Sequence, residues 1–198
     1  MADKIVFYHN PMSRGRIVRW MLEEVGVPYE TKIVNLEKRE HKAPEYLAVN
    51  PMGKVPAIVH NGTVVTETAA ICAYLADAFP RAGLAPGVGD AARGTYYRWL
   101  FFAAGCLEPA IIDKVNARPK IEREGMLSYG TYETTLATLE KALVPGPWIL
   151  GERFSAADVY VGSCVGWGLY TKGLEPRSAF LSYSERCQQR PANKRANG

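Results

Sequence analysis

The chain opens on a short β-rich run, Lys4-Ile5-Val6-Phe7-Tyr8, and then changes period. Over 14–25 the apolar residues Ile17, Val18, Met21, Leu22 and Val25 recur every three or four positions, which predicts a helix with one buried face. Gly26 marks its end and Pro28 bars its continuation. Residues 30–34 form a second β-rich run, followed by a charged segment over 35–42 and a short helical turn at 44–48. Two further strands are predicted at 57–60 and 63–66. Between them stands Asn61-Gly62, the pair that supplies the positive φ angles of a type I′ hairpin. Thr66-Glu67-Thr68 then opens a helical pattern with Ala70, Ile71, Tyr74, Leu75 and Ala78 on one face.

Residues 79–90 are rich in Pro and Gly and lack periodicity, as expected of a linker. Beyond them the pattern is helical. A long helix is predicted over 91–112, with a bend at Gly105 and Pro109, and a second over 120–143, broken by Val144-Pro145-Gly146-Pro147. Ser155 and Asp158 read as the N-cap and third residue of a further helix, with Phe154 placed to staple onto Val159. A last short helix over 180–189 precedes a basic tail.

The order strand–helix–strand, irregular helix, strand–strand–helix is the layout of a thioredoxin-like α/β domain. A right-handed crossover makes its first two strands parallel, and the hairpin adds an antiparallel pair. We therefore expect an α/β thioredoxin-like N-terminal domain over 1–79, a linker at about 80–90, and an all-α helical domain over 91–198.

Composition narrows the class. Of 198 residues, 47% are hydrophobic and 22% charged, as in ordinary globular proteins, and no apolar run approaches a membrane span. No signal-peptide pattern follows Met1, so a cytoplasmic protein is expected. The net charge of +4 is mild, and the basic residues over 186–195 read as a solvated terminus, not a nucleic-acid site. Cys72, Cys106, Cys164 and Cys187 are far apart, and His9, His41 and His60 form no cluster with them. Neither a metal nor a structural disulfide is expected.

The chemistry gathers in 50–75. Pro56 ends a loop and keeps the edge at Lys54-Val55 extended, so its backbone can pair with a peptide laid beside it. The helix start at Thr68 offers unsatisfied N–H groups and a hydroxyl to an anion, and Glu67 offers a carboxylate to a cation. Together these suit an α-amino acid terminus. Read alone, Thr66 or Thr68 is more simply a helix cap.

Lys54-Val55-Pro56, the hairpin, and Glu67-Thr68-Ala69-Ala70-Ile71 resemble the glutathione-binding half of glutathione S-transferases, and the resemblance extends over nearly the whole chain. It implies a cis Pro56 and backbone pairing of Val55 with the cysteinyl unit of glutathione. It also implies that Glu67 and Thr68 hold the γ-glutamyl end. Glu40-His41-Lys42-Ala43-Pro44 resembles the phi-class segment whose His and Lys reach the glycine carboxylate, where Lys54 would join them.

The run Pro11-Met12-Ser13-Arg14-Gly15-Arg16 resembles the serine-type, phi- and theta-like classes, as found in bacteria, in which a serine precedes an arginine by three residues. Ser13 is then the catalytic candidate, donating a hydrogen bond to the glutathione thiolate; it also reads as a helix N-cap. Tyr8 is the rival, as in tyrosine-type classes, although alignment on Arg14-Gly15-Arg16 puts Asn10 at that place. Cysteine-type classes are disfavoured, because no cysteine lies near the start of the first helix. Tyr97, Phe101, Phe102 and Cys106 would line the electrophile pocket, or serve as helical core.

The resemblance implies a homodimeric glutathione transferase that conjugates glutathione to small hydrophobic electrophiles in detoxification. The alternatives are a non-catalytic interaction module of the same fold, or a glutathione-dependent isomerase, peroxidase or dehalogenase.

Overall fold

The computed structural model describes residues 4–119 and 121–198 and divides them into two compact units, 1–83 with 191–198, and 84–190. Residues 1–3, where a leader-free start is expected, and Lys120, where a helix is predicted to begin, lie outside the described residues.

The first unit holds β1 (Ile5–His9), α1 (Gly15–Val25), β2 (Glu30–Ile33), the short α2 (Pro44–Leu47), β3 (Ala57–His60), β4 (Thr63–Thr66) and α3 (Thr68–Ala78). The sheet order is β2-β1-β3-β4, with β1 parallel to β2 and antiparallel to β3. This is the mixed thioredoxin-like sheet expected from the element order. Asn61 (φ 51°) and Gly62 (φ 88°) make the predicted positive-φ turn between β3 and β4. Gly26 closes α1 in the left-handed region, its N–H donating to the Leu22 carbonyl. The core is built from Phe7, Ile58, Val18, Met21, Leu22, Ile71 and Leu75. On α3 the buried face differs from the predicted one. Cys72 is inside, whereas Ala70 and Ala78 are exposed, because a methyl gains little from burial and the larger side chains set the helix's rotation.

The basic tail is not a solvated terminus. Residues Pro191–Asn197 form α9, which packs against α1 within the first unit. Pro191 stands where a helix needs no N–H, and Ala192 and Ala196, one turn apart, are buried. Arg195 Nε donates to Glu23 Oε2 (2.9 Å), and Arg16 Nη2 donates to Asn197 Oδ1 (2.8 Å). The predicted helical domain over 91–198 therefore loses its last eight residues to the first unit.

The second unit holds α4 (Ala92–Phe102), α5 (Glu108–Val115), α6 (Tyr132–Leu143), α7 (Ala156–Tyr170) and α8 (Ser178–Gln189). The bend predicted near Gly105 and Pro109 is a π-helical turn over Ala103–Leu107, and Pro109 sits in the first turn of α5. The helix predicted over 120–143 is confined to α6. Gly125 lies in a 3-10 turn, Gly130 adopts φ 63°, and Thr131 caps α6 by accepting the Thr134 N–H at 3.1 Å. The capping box predicted at the start of α7 is present, while Phe154 packs edge-on against Trp148. Asp158 Oδ2 accepts from the Ser155 N–H (2.9 Å) and hydroxyl (3.0 Å), while Oδ1 accepts from the Ile149 N–H (2.7 Å) and the Tyr183 hydroxyl (2.8 Å). No helix among the described residues is long and apolar enough to cross a membrane.

Candidate functional site

The register of the sheet decides which loops meet. Tyr8 in β1 pairs with Ala57 in β3, and Ala57 pairs with Thr66 in β4. The loop after β1 with Ser13, the loop before β3 with Lys54 and Val55, and the junction after β4 with Glu67 and Thr68 therefore all leave the sheet at one end.

The loop after β1 is held by Asn10. Its Nδ2 donates to the Val34 carbonyl (2.9 Å), its Oδ1 accepts the Met12 N–H (2.9 Å), and its carbonyl accepts the Ser13 hydroxyl (2.7 Å). Ser13 Oγ also accepts the N–H of Gly15, the first residue of α1, at 3.0 Å. The serine therefore satisfies one orphan donor of the helix start, while Arg14 occupies the N-cap position itself. Beneath this turn lies His9, 2% exposed and stacked on Phe7 at 4.9 Å. Burial foremost, then the charges of Arg19 and Arg16, push its imidazole down to about 4, so it is neutral at pH 7.

Tyr8 points the other way. Alternation along β1 places it on the opposite face of the sheet from His9, beside Tyr46 of α2 with ring centroids 5.6 Å apart, and Lys32 Nζ lies over its ring.

The second loop is clamped. The Lys54 carbonyl accepts from the Asn50 Nδ2 (2.8 Å) and the Tyr46 hydroxyl, and the Val55-Pro56 bond is cis. Burial pushes the Tyr46 hydroxyl up to about 12, so it remains a proton donor. Lys42 Nζ donates to the Met52 carbonyl at 3.2 Å. At Gly53 (φ 59°) a Cβ would stand 2.6 Å from the His41 carbonyl and 2.8 Å from Lys42 Nζ, so only glycine lets the 40–42 segment approach. His41 and Lys42 are thereby brought to the loop carrying Lys54. The side chain of Lys54 is exposed, and His41 Nδ1 is buried without a hydrogen-bond partner among the described residues.

At the third segment Glu67 adopts φ 65° and ψ 117°, outside the regions that a side chain favours, at a cost of about 1–3 kcal/mol. Its side chain is exposed and Thr68 is buried. Among the described residues no side chain caps α3 and no acidic residue stands in its first turn, so its N-terminal N–H groups and partial positive charge are available to an anion.

In the second unit, Phe101 is 69% exposed, whereas Phe102 packs edge-on against Trp99 and Tyr97 accepts from Arg93 Nη2 at 2.6 Å. The Cys106 thiol, in the π-helical turn, donates to the Ser128 carbonyl at 3.2 Å.

Sequence reasoning named the six candidates Ser13, His41, Lys54, Val55, Glu67 and Thr68; it met Asn10 only through alignment, without its role in holding the Ser13 loop, and missed Tyr46 and Asn50, which hold the Lys54 carbonyl. Asn50 lies beyond the end of α2, so no helical spacing pairs it with Tyr46, and the sequence offered no local signal for their shared partner.

Comparison with known proteins agrees with this geometry. The glutathione S-transferase N-terminal domain matches residues 4–77 and the glutathione S-transferase C-terminal domain matches residues 109–180. The chain is 33% identical over 176 residues to glutathione S-transferase GstA of Escherichia coli O157:H7, covering 86% of each protein. It is 29% identical over 208 residues to the disulfide-bond oxidoreductase YfcG of Escherichia coli K12, covering 97% of this chain and 94% of that one. A crystal structure of a glutathione transferase homologue from Sulfitobacter, with bound glutathione, superposes with a TM-score of 0.78 at 26% identity, covering 98% and 97% of the two chains. With a mixed four-stranded sheet, a cis-proline loop and an uncapped helix start at one sheet edge, and with sequence kinship along most of its length, the chain belongs to the glutathione S-transferase family.

Proposed function

We propose that this chain is a serine-type, phi/theta-like glutathione transferase that conjugates the glutathione thiolate to small hydrophobic electrophiles. The observation that carries the reading is the register Tyr8–Ala57–Thr66, which turns three segments of complementary chemistry out at one end of the sheet. The sheet unit is the glutathione-binding domain. The γ-glutamyl carboxylate sits at the start of α3, on the Thr68 hydroxyl and the free N–H groups, with its ammonium beside Glu67. The cysteinyl backbone pairs with Val55 along the clamped loop edge. The glycine carboxylate meets Lys54 and His41.

The sulfur then reaches the start of α1. A free thiol near pKa 8.5 is only a few per cent ionised at pH 7, and lowering it by about 2 units requires about 2.7 kcal/mol of preferential stabilisation of the thiolate. The Ser13 hydroxyl supplies part of this by leaving the Asn10 carbonyl and donating to the sulfur, and the helix N-terminus supplies more. The thiolate then attacks the electrophilic carbon. A sulfur–carbon bond forms, and the leaving group departs or the adduct takes a proton. The protein works as a cytoplasmic homodimer and needs no metal.

The test is ultraviolet difference titration of the thiol of bound glutathione. The wild type should show an apparent pKa well below the free value, and Ser13→Ala should raise it while retaining calorimetric glutathione binding. An unshifted thiol in the wild type, or no change in Ser13→Ala, refutes the serine-type assignment.

The kinship with a disulfide-bond oxidoreductase over nearly the whole chain favours one second reading, in which the same thiolate attacks a disulfide sulfur and yields a mixed disulfide and a free thiol. Turnover of a small dialkyl disulfide in excess of turnover on an aryl halide would select it.

A further inference from the structure

His9 breaks a pattern. Ile5, Phe7 and His9 form the buried row of β1, yet the third member carries a polar ring. Its Nδ1 is buried and has no hydrogen-bond partner among the described residues, a desolvation cost that a phenylalanine in the same slot would not incur. That nitrogen is aimed at the start of α1. A Cβ on Gly15 would lie 2.3 Å from His9 Nδ1 and 3.0 Å from Ser13 Oγ, so imidazole and hydroxyl converge on the first residue of the helix.

The hydrogen bonds of Ser13 make this position consequential. Its single proton is given to the Asn10 carbonyl, and its oxygen accepts the Gly15 N–H. For the hydroxyl to serve a glutathione sulfur, its proton must leave Asn10. Where the side chain swings to follow the ligand, the oxygen also leaves Gly15, and a helix-start N–H loses its partner. The unpartnered His9 Nδ1 lies against that same residue, and in the neutral tautomer with its proton on Nε2 it is an acceptor. The ring is not the base that ionises the thiol, because burial and the neighbouring arginines keep it neutral well into acid.

Resting on the assignment of Ser13 to the thiolate, we infer that His9 is a positioning residue: its Nδ1 is the second acceptor for the Gly15 N–H and takes that bond over when Ser13 Oγ turns to glutathione. The exchange keeps the helix start satisfied in both states and lets the hydroxyl move at little cost.

The direct test is ¹⁵N NMR of wild-type protein with labelled histidine. The His9 Nδ1 resonance should sit at the position of a bare acceptor in the free protein and move upfield when glutathione binds. Alongside it, His9→Phe keeps a ring without the acceptor, and His9→Asn places an amide oxygen near the Nδ1 position. His9→Phe should raise the apparent pKa of the bound thiol by about one unit, a tenfold loss of thiolate ratio, and His9→Asn should restore most of it. An Nδ1 resonance unmoved by glutathione overturns the inference, and so does a His9→Phe protein with the wild-type thiol pKa. If His9→Phe fails to fold, the wild-type resonance decides alone. If Ser13→Ala leaves the thiol pKa unchanged, the assignment of Ser13 falls and this inference with it. If Ser13→Ala raises it and the His9 measurements do not move, only the role of His9 falls.

Discussion

The hydroxyl of Tyr46 donates to the carbonyl oxygen of Lys54, eight residues later, and so ties the short helix α2 to the loop that precedes β3. Asn50 Nδ2 donates to the same oxygen, and its Oδ1 accepts the Met52 N–H at 3.1 Å. Neither side chain is among those proposed to touch glutathione. Both fix the edge along which its backbone would pair.

Tyr46→Phe removes one of these donors, and Asn50→Ala removes a donor and an acceptor together. With a net contribution of about 1 kcal/mol per hydrogen bond, glutathione affinity should fall roughly fivefold in Tyr46→Phe and by more in Asn50→Ala. The rate constant for bound substrate should be little changed. Isothermal calorimetry, with kcat and KM measured separately, checks the split. A fall in kcat at constant affinity would show that the loop acts on the chemistry itself.

Glu67 separates stability from binding. Its φ of 65° is one that glycine adopts without strain. Glu67→Gly therefore trades a strained backbone worth about 1–3 kcal/mol for about 1 kcal/mol of added chain entropy in the unfolded state, and the melting temperature should hold or rise. The same change deletes the carboxylate proposed for the glutathione ammonium, so affinity should fall by about tenfold, as for a lost charge-assisted bond. Glu67→Gln, which keeps the strain, should lose affinity without gaining stability. A Glu67→Gly protein that melts lower than wild type would contradict the strain argument.

The docking of α9 is pH-dependent in a stated direction. Burial raises the Glu23 carboxyl, but hydrogen bonds from Arg195 and Tyr29 outweigh it and leave it below its ordinary 4.5. A carboxyl lowered by folding stabilises the native state above the unfolded value, and that contribution is lost as pH falls through the folded value. Arg195→Ala should cost roughly 0.5–1 kcal/mol at pH 7, and the gap in melting temperature between it and wild type should narrow as the pH falls below the ordinary carboxyl value of 4.5 and through the lowered folded one. A gap that persists in acid would assign the effect to packing of the arginine stem.

The thioredoxin-like half was legible because its signals are local. An Asn-Gly turn, a glycine stop after α1 and alternation in short strands each act within a few residues. Glu67-Thr68 and Lys54-Val55-Pro56 were legible as a candidate site because each carries its chemistry on adjacent positions. What the sequence hid was long-range. The role of Asn10 depends on Val34, and the place of α9 depends on a face of α1 some 170 positions earlier, so a basic run without apolar periodicity read as solvent-exposed. The break before α6 turned on Gly130 adopting a positive φ, which leucine spacing outweighs on paper. His9 read only as a histidine outside any cluster, because nothing in a linear string says that its neighbour in space is Gly15.

The position of α9 bears on how the molecule is made. The helix that completes the sheet-bearing unit is translated only after all of residues 84–190 have emerged. During synthesis the sheet therefore waits with the flank of α1 uncovered while the helical unit assembles, and α9 closes it afterwards. A chain terminated at Arg190 would carry every proposed glutathione contact and still leave apolar surface of α1 open to aggregation.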